Sequence, residues 1–131
     1  MLKVLTASTL IALTILQPLA QAEGTLPPAH IASPEHYQVL LENEQVLVLK
    51  MVLKPGEADR PHRHGNETVY FQQGGQLTIQ EDGGQTIVAD VPDGHVMWHG
   101  AWQHQVRNSG DREVVAIIVE EKALRDVKRF P

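Results

Sequence analysis

The chain has 131 residues, with 11 Lys and Arg against 16 Asp and Glu, a formal net charge of −5 and no cysteine. That length suits one domain, and the few scattered basic residues exclude a nucleic-acid face built on clustered Lys and Arg. Without thiols there is no disulfide, no thiolate metal ligand and no cysteine nucleophile, so stability has to come from packing, a metal or a partner subunit.

Residues 1–22 read as a signal peptide. Lys3 precedes an apolar run from Val4 to Leu16, and Ala20-Gln21-Ala22 gives the small-x-small pattern for cleavage after Ala22. The run is too short, and too soon followed by Gln17-Pro18, for a membrane span. The expected mature protein is therefore periplasmic or secreted, with no membrane attachment after cleavage. A domain of the remaining size buries somewhat under about 70% of its unfolded surface, which makes a homodimer the expected state.

Residues 23–36, rich in Pro and Ala, read as an N-terminal arm that lies along the domain or crosses to a partner subunit. From Tyr37 onward short runs of Val, Ile, Leu and Thr are broken by turn residues, the signature of an antiparallel sandwich or barrel. Strands are predicted over 37–42, 46–54, 67–73, 76–81, 85–89, 95–99, 103–108 and 113–121. Breaks fall at Asn43, Pro55-Gly56, Gly74-Gly75, Asp82-Gly83-Gly84, Pro92-Asp93-Gly94 and Asn108-Ser109-Gly110. The barrel is assigned to 37–122, and 123–131 is a tail that forms a short helix or frays.

The chemistry is concentrated in two stretches. In an extended chain His62 and His64 point to one face, and a turn at Gly65-Asn66 brings Glu67 beside them. The alternative is a hydrophilic turn, with two loop histidines beside Arg63 and Asp59. In the second stretch, His104 and Asn108 share a strand face, and antiparallel pairing can carry His104 to the first pair. Imidazoles with a carboxylate suit first-row divalent ions. His99 shares a face with His95 and Met97 and is a candidate acid-base group or a structural residue. Phe71, Met97, Trp98 and Trp102 are candidate pocket walls, the two tryptophans at the mouth or else in core or dimer contacts. Tyr70 points away from the Glu67 face, and Arg63 and Arg107 oppose the ligands beside them.

The chain resembles a small single-domain cupin. The first cupin motif is Gly, five residues, His-x-His, three or four residues, Glu, six residues, Gly; Gly56, His62, His64, Glu67 and Gly74 match it, with only Gly65 and Asn66 before the glutamate. The second motif is Gly, five residues, Pro-x-Gly, His, three residues, Asn; Gly94, His104 and Asn108 match, with Gly100 in place of Pro, Trp102 in place of Gly and one residue rather than two before the histidine. Both shortenings are similar to those of a subgroup labelled β-alanine-degradation-like, in which the pattern LLEN…VLVLKMVLKPGE also recurs. The resemblance implies an all-β double-stranded β-helix, or jelly-roll barrel. It implies His62, His64 and His104 as metal ligands with Glu67 as the fourth, a set of three histidines being the alternative. It also implies one divalent ion (Fe, Mn, Ni, Cu or Zn) and a small-molecule ligand or substrate. Such a site suits an oxygenase, for instance a dioxygenase, an isomerase or a lyase. The other readings are a binding cupin without turnover, serving as sensor, carrier or store, and an empty structural barrel.

Overall fold

The computed structural model describes residues 25–122, so the expected signal peptide and C-terminal tail lie outside the described residues. Nine strands are described: β1 (Tyr37–Glu42), β2 (Val46–Leu53), β3 (His62–His64), β4 (Asn66–Gln73), β5 (Gly75–Glu81), β6 (Thr86–Val91), β7 (Val96–His99), β8 (Trp102–Asn108) and β9 (Val114–Glu121). They form a five-stranded sheet in the order β1-β2-β9-β4-β7 and a four-stranded sheet in the order β3-β8-β5-β6, every pair antiparallel.

Period-two alternation decides what faces inward. Along β2 the buried positions are Leu47, Leu49, Met51 and Leu53; along β9 they are Val114, Ala116, Ile118 and Glu120. The two strands pair in register from Val46–Glu121 to Leu53–Val114, so their apolar rails run side by side through the barrel. Leu49, Leu53 and Val114 are completely buried, each contributing about 1.5–3 kcal/mol of apolar burial. Phe71 and Val69 from β4 and Leu77 and Val106 from the other sheet close the core.

Turn chemistry opens the first motif. Gly56 follows Pro55 at φ +82°, a left-handed conformation that side chains resist, and it reverses the chain towards the histidine pair.

Two elements lie outside the predicted strands, the three-residue strand β3 and a helical turn. Residues 29–32 form a single helical turn, α1 (Ala29–Ala32), after Pro27-Pro28, with the Pro28 carbonyl accepting from the Ile31 and Ala32 amides. Proline has its φ set for a helix start, a signal easily masked in so short a turn. Just before this turn the arm runs beside β3 of its own chain. Arg63 donates its amide to the Pro27 carbonyl at 3.0 Å, and the Leu26 amide donates to Gln103 Oε1 at 3.1 Å. No described helix is long and apolar enough to cross a membrane.

Candidate metal centre

The histidine pair forms the short strand β3, which pairs with β8 so that His62 lies opposite His104. The intervening Arg63 faces solvent. His62, His64 and His104 are buried, and each offers a ring nitrogen within 4.8 Å of the other two. The rings of His62 and His64, and of His62 and His104, meet edge to face at 4.7 Å between centroids.

Hydrogen bonds fix the tautomers. His62 Nδ1 lies 2.8 Å from the Arg60 carbonyl, which can only accept, so that nitrogen carries a proton. His64 Nδ1 lies 2.5 Å from Glu120 Oε1 and donates to it. When neutral, each ring then presents a lone pair at Nε2, and the two Nε2 atoms stand 2.9 Å apart. Two lone pairs cannot face each other at that distance without a cation between them, either a proton or a metal ion. Imidazole nitrogens about 2.1 Å from one ion and at right angles stand about 3 Å apart, so the donor set fits a first-row metal. His104 adds a third imidazole, and its Nδ1 is buried with no partner.

Burial pulls the His62 imidazole down to about 4 and His104 to about 2, the charge of His64 adding to both. Both rings are therefore neutral, as metal ligands must be. Burial also pulls His64 down, but its bond to Glu120 and the charges of Glu67, Glu120 and Asp59 reverse this and hold it above its ordinary value. Burial acts against the Glu120 carboxylate too, and its bonds to His64 and to the Gly65 amide keep it below the usual range.

The structure groups Glu67 differently from the expected fourth ligand. It is buried, yet its carboxylate joins His64 and Glu120 and stands apart from the cluster of three histidines. The Trp102 indole donates to Glu67 Oε1 at 2.8 Å; Oε2 lies 3.3 Å from His64 Nδ1 and makes no hydrogen bond. Burial pushes this carboxyl up. The two-residue turn sets the geometry: β4 begins at Asn66, which turns Glu67 to the Nδ1 side of the ring.

Tyr37 packs against His62 at 5.5 Å between ring centroids and donates to Asp59 Oδ2 at 2.6 Å. Asp59 also accepts from the Val106 amide at 2.7 Å, and burial raises it to about 6. Asp59 is thus an interior residue, not part of a hydrophilic turn.

Next to His64 and His104 is a cavity of about 50 Å³, lined mainly by apolar side chains that include Met51, Val69, Phe71 and Ile118. Of the expected pocket residues, Phe71, Met97 and Trp102 line it. Trp98 does not: it is 62% exposed, because Met97 and His99 take the inward positions of β7. His99 does not reach the cavity either. It stacks on Trp102 at 3.8 Å and bonds the Gly100 carbonyl through Nδ1, leaving the indole between it and His104. Asn108 is structural, donating to the Leu53 and Arg112 carbonyls. Tyr70, Arg63 and Arg107 face outward. Sequence reasoning missed Glu120 and Tyr37.

No protein-family model matches the chain, and no curated protein is significantly similar to it. Solved structures do match. A cupin domain from Bordetella pertussis Tohama I is 25% identical with a TM-score of 0.62, over 76% of this chain and 99% of that one. A conserved protein with a double-stranded β-helix domain from Klebsiella pneumoniae is 18% identical with a TM-score of 0.55, over 69% and 78%. An RmlC-like cupin family protein from Methanocaldococcus jannaschii is 15% identical with a TM-score of 0.54, over 65% and 77%. With its two antiparallel sheets and these likenesses, the chain has the double-stranded β-helix fold of the cupin superfamily, and within it a His/Glu cluster able to hold a metal ion.

Proposed function

We propose that this protein is an exported cupin of the β-alanine-degradation-like subgroup that binds one divalent transition metal through His62, His64 and His104 and acts as an enzyme on a small organic molecule. The observation that carries the metal reading is the pair of Nε2 atoms 2.9 Å apart, each with its other nitrogen committed as a donor. A bound ion would supply Lewis acidity, polarising an oxygen of the substrate. The chain supplies the rest. The apolar wall excludes water and takes a substrate of only a few heavy atoms, or the small end of a larger one, in about 50 Å³. Glu67 is the group at the cavity that can hold or pass a proton, at Oε2, while Trp102 keeps Oε1 in place. Sequence supports export through residues 1–22, and mass spectrometry of the mature protein should find a start near Glu23.

The test is elemental analysis of untagged protein purified without chelator, beside His62→Ala. Near-stoichiometric iron, manganese, nickel, copper or zinc in the first and none in the second is expected; equal traces in both would end the metal reading. Oxygen uptake and product formation on small acids and phenols then separate turnover from the second reading, a metal or ligand carrier, which the small cavity favours.

We also propose a homodimer through the outer face of the five-stranded sheet. In register across it lie Leu41, Val48, Val119, Thr68 and Trp98, and in the next row Lys50, Ile117, Tyr70 and Val96. Trp98 and Val96 are 62% and 59% exposed. Four strand spacings of about 4.8 Å give a face about 20 Å wide, on which Leu41, Tyr70, Val96 and Trp98 are exposed, and exposed apolar groups gathered on one face mark an interaction site. Light scattering should give twice the chain mass for the wild type and the single mass for Trp98→Glu; a monomeric wild type would end this reading.

A further inference from the structure

We infer that the carboxylate governing the metal centre is Glu120, acting through His64, and not Glu67 at the motif position; this rests on the metal reading above. Two buried glutamates reach the same side of the His64 ring, and they are held very differently. Glu120 is bonded to that ring: Oε1 accepts a hydrogen bond from Nδ1 at 2.5 Å, while Oε2 accepts from the Gly65 amide at 3.1 Å. Both carboxylate oxygens are thus fixed on β3 and its turn. Gly65 allows this approach, since a side chain there would put its Cβ 3.1 Å from the Glu121 carbonyl oxygen.

Glu67 is drawn elsewhere. Its Oε1 is taken by Trp102, the residue that stands where the second motif has glycine, and its Oε2 makes no bond to His64. A motif glycine has no indole, so this substitution creates the donor that holds Glu67 off the imidazole.

The consequence lies at the other end of the His64 ring. With Nδ1 held as a donor, Nε2 is left as a lone pair aimed at the point it shares with His62, and the carboxylate makes that lone pair more basic. Glu120 borders an outer cleft with Pro28, Arg63 and Asn66, not the internal cavity. It cannot touch a substrate in that cavity, so its role is to position His64.

The experiment titrates full-length wild type, Glu120→Gln, Glu67→Gln and His62→Ala with cobalt(II), following its absorption bands, with nitrogen-15 NMR of the metal-free histidines. Glu120→Gln should weaken cobalt binding about 10–100-fold, shift the bands, and move the His64 Nδ1 nitrogen-15 signal by removing its carboxylate acceptor. Glu67→Gln should stay within about threefold of wild type and leave His64 unchanged. A loss in Glu67→Gln with none in Glu120→Gln would overturn the inference. Equal cobalt binding by wild type and His62→Ala would instead overturn the metal reading, so the two failures are distinct. If Glu120→Gln does not melt cooperatively, Glu120→Asp keeps the charge, shortens the reach and should show the same loss; wild-type affinity there would overturn the inference.

Discussion

Along β9 the inward rail runs Val114, Ala116, Ile118 and then Glu120, and along β4 it runs Phe71, Val69 and then Glu67. The same strands thus build two unlike halves of one interior. In the apolar half, side chains such as Leu49 and Leu53 are buried with no polar atom to satisfy. In the polar half three imidazoles, three carboxylates and a phenol share a small volume, and His104 Nδ1 and Glu67 Oε2 have no partner. Burying polar groups in this way opposes folding unless each is bonded. The apolar half therefore carries the stability, and the polar half draws on it to hold a reactive arrangement.

The contrast is sharpest under mutation. Leu53→Ala should lower unfolding free energy by about 2–5 kcal/mol in urea melts while metal stoichiometry per folded chain stays the same. Tyr37→Phe should remove about 1–3 kcal/mol by leaving buried Asp59 one donor short, and it should reach the metal centre only weakly. His104→Leu should act in the opposite direction. By taking out an unsatisfied buried imidazole it should raise the stability of the metal-free protein by about 1 kcal/mol, while abolishing metal binding. A metal-free His104→Leu protein that melts well below wild type would break the division between the halves.

Acid gives the smallest and most diagnostic effect. His62 and His104 are held below their ordinary value, so from pH 6.5 down to about 4 the unfolded chain takes up protons that the folded one refuses. Folding weakens as pH falls through that window. Asp59, raised to about 6, works the other way, because the folded chain takes its proton first. Glu67, pushed up, and Glu120, held down, oppose each other. Two imidazoles outweigh one carboxylate, so the melting temperature of the metal-free protein should drop between pH 6.5 and 4. His104→Leu should flatten that slope, and an unchanged slope would mean His104 titrates freely in the fold.

The apolar half was legible in the sequence because alternation and burial are one signal: β2 and β9 read as strands and are strands. His62, His64 and His104 were visible because their spacing is local to single strands. Glu120 was not, since beside Glu121 it reads as the charged end of a strand. Only the pairing of β9 between β2 and β4 carries it to His64. Its parity with Val114, Ala116 and Ile118 was the available clue, and the parity of Met97 and His99 gave the matching clue that Trp98 faces out. Glu67 was misleading for another reason: its partner depends on Trp102, on a different sheet and far along the chain.

The strand that carries two of the three imidazoles is also the outermost of its sheet, and the arm closes that border through Arg63 and Pro27. A protein trimmed to begin at Tyr37 would keep every proposed ligand and almost the whole core, yet the border beside the proposed metal site would stand open to water and to other chains. Its metal should dissociate faster under chelator challenge, and its solutions should turn turbid sooner on standing. On the proposed metal reading, the few residues before the barrel thus serve as a clasp on the site, and how long a metal stays bound depends on a segment that supplies none of the three imidazoles.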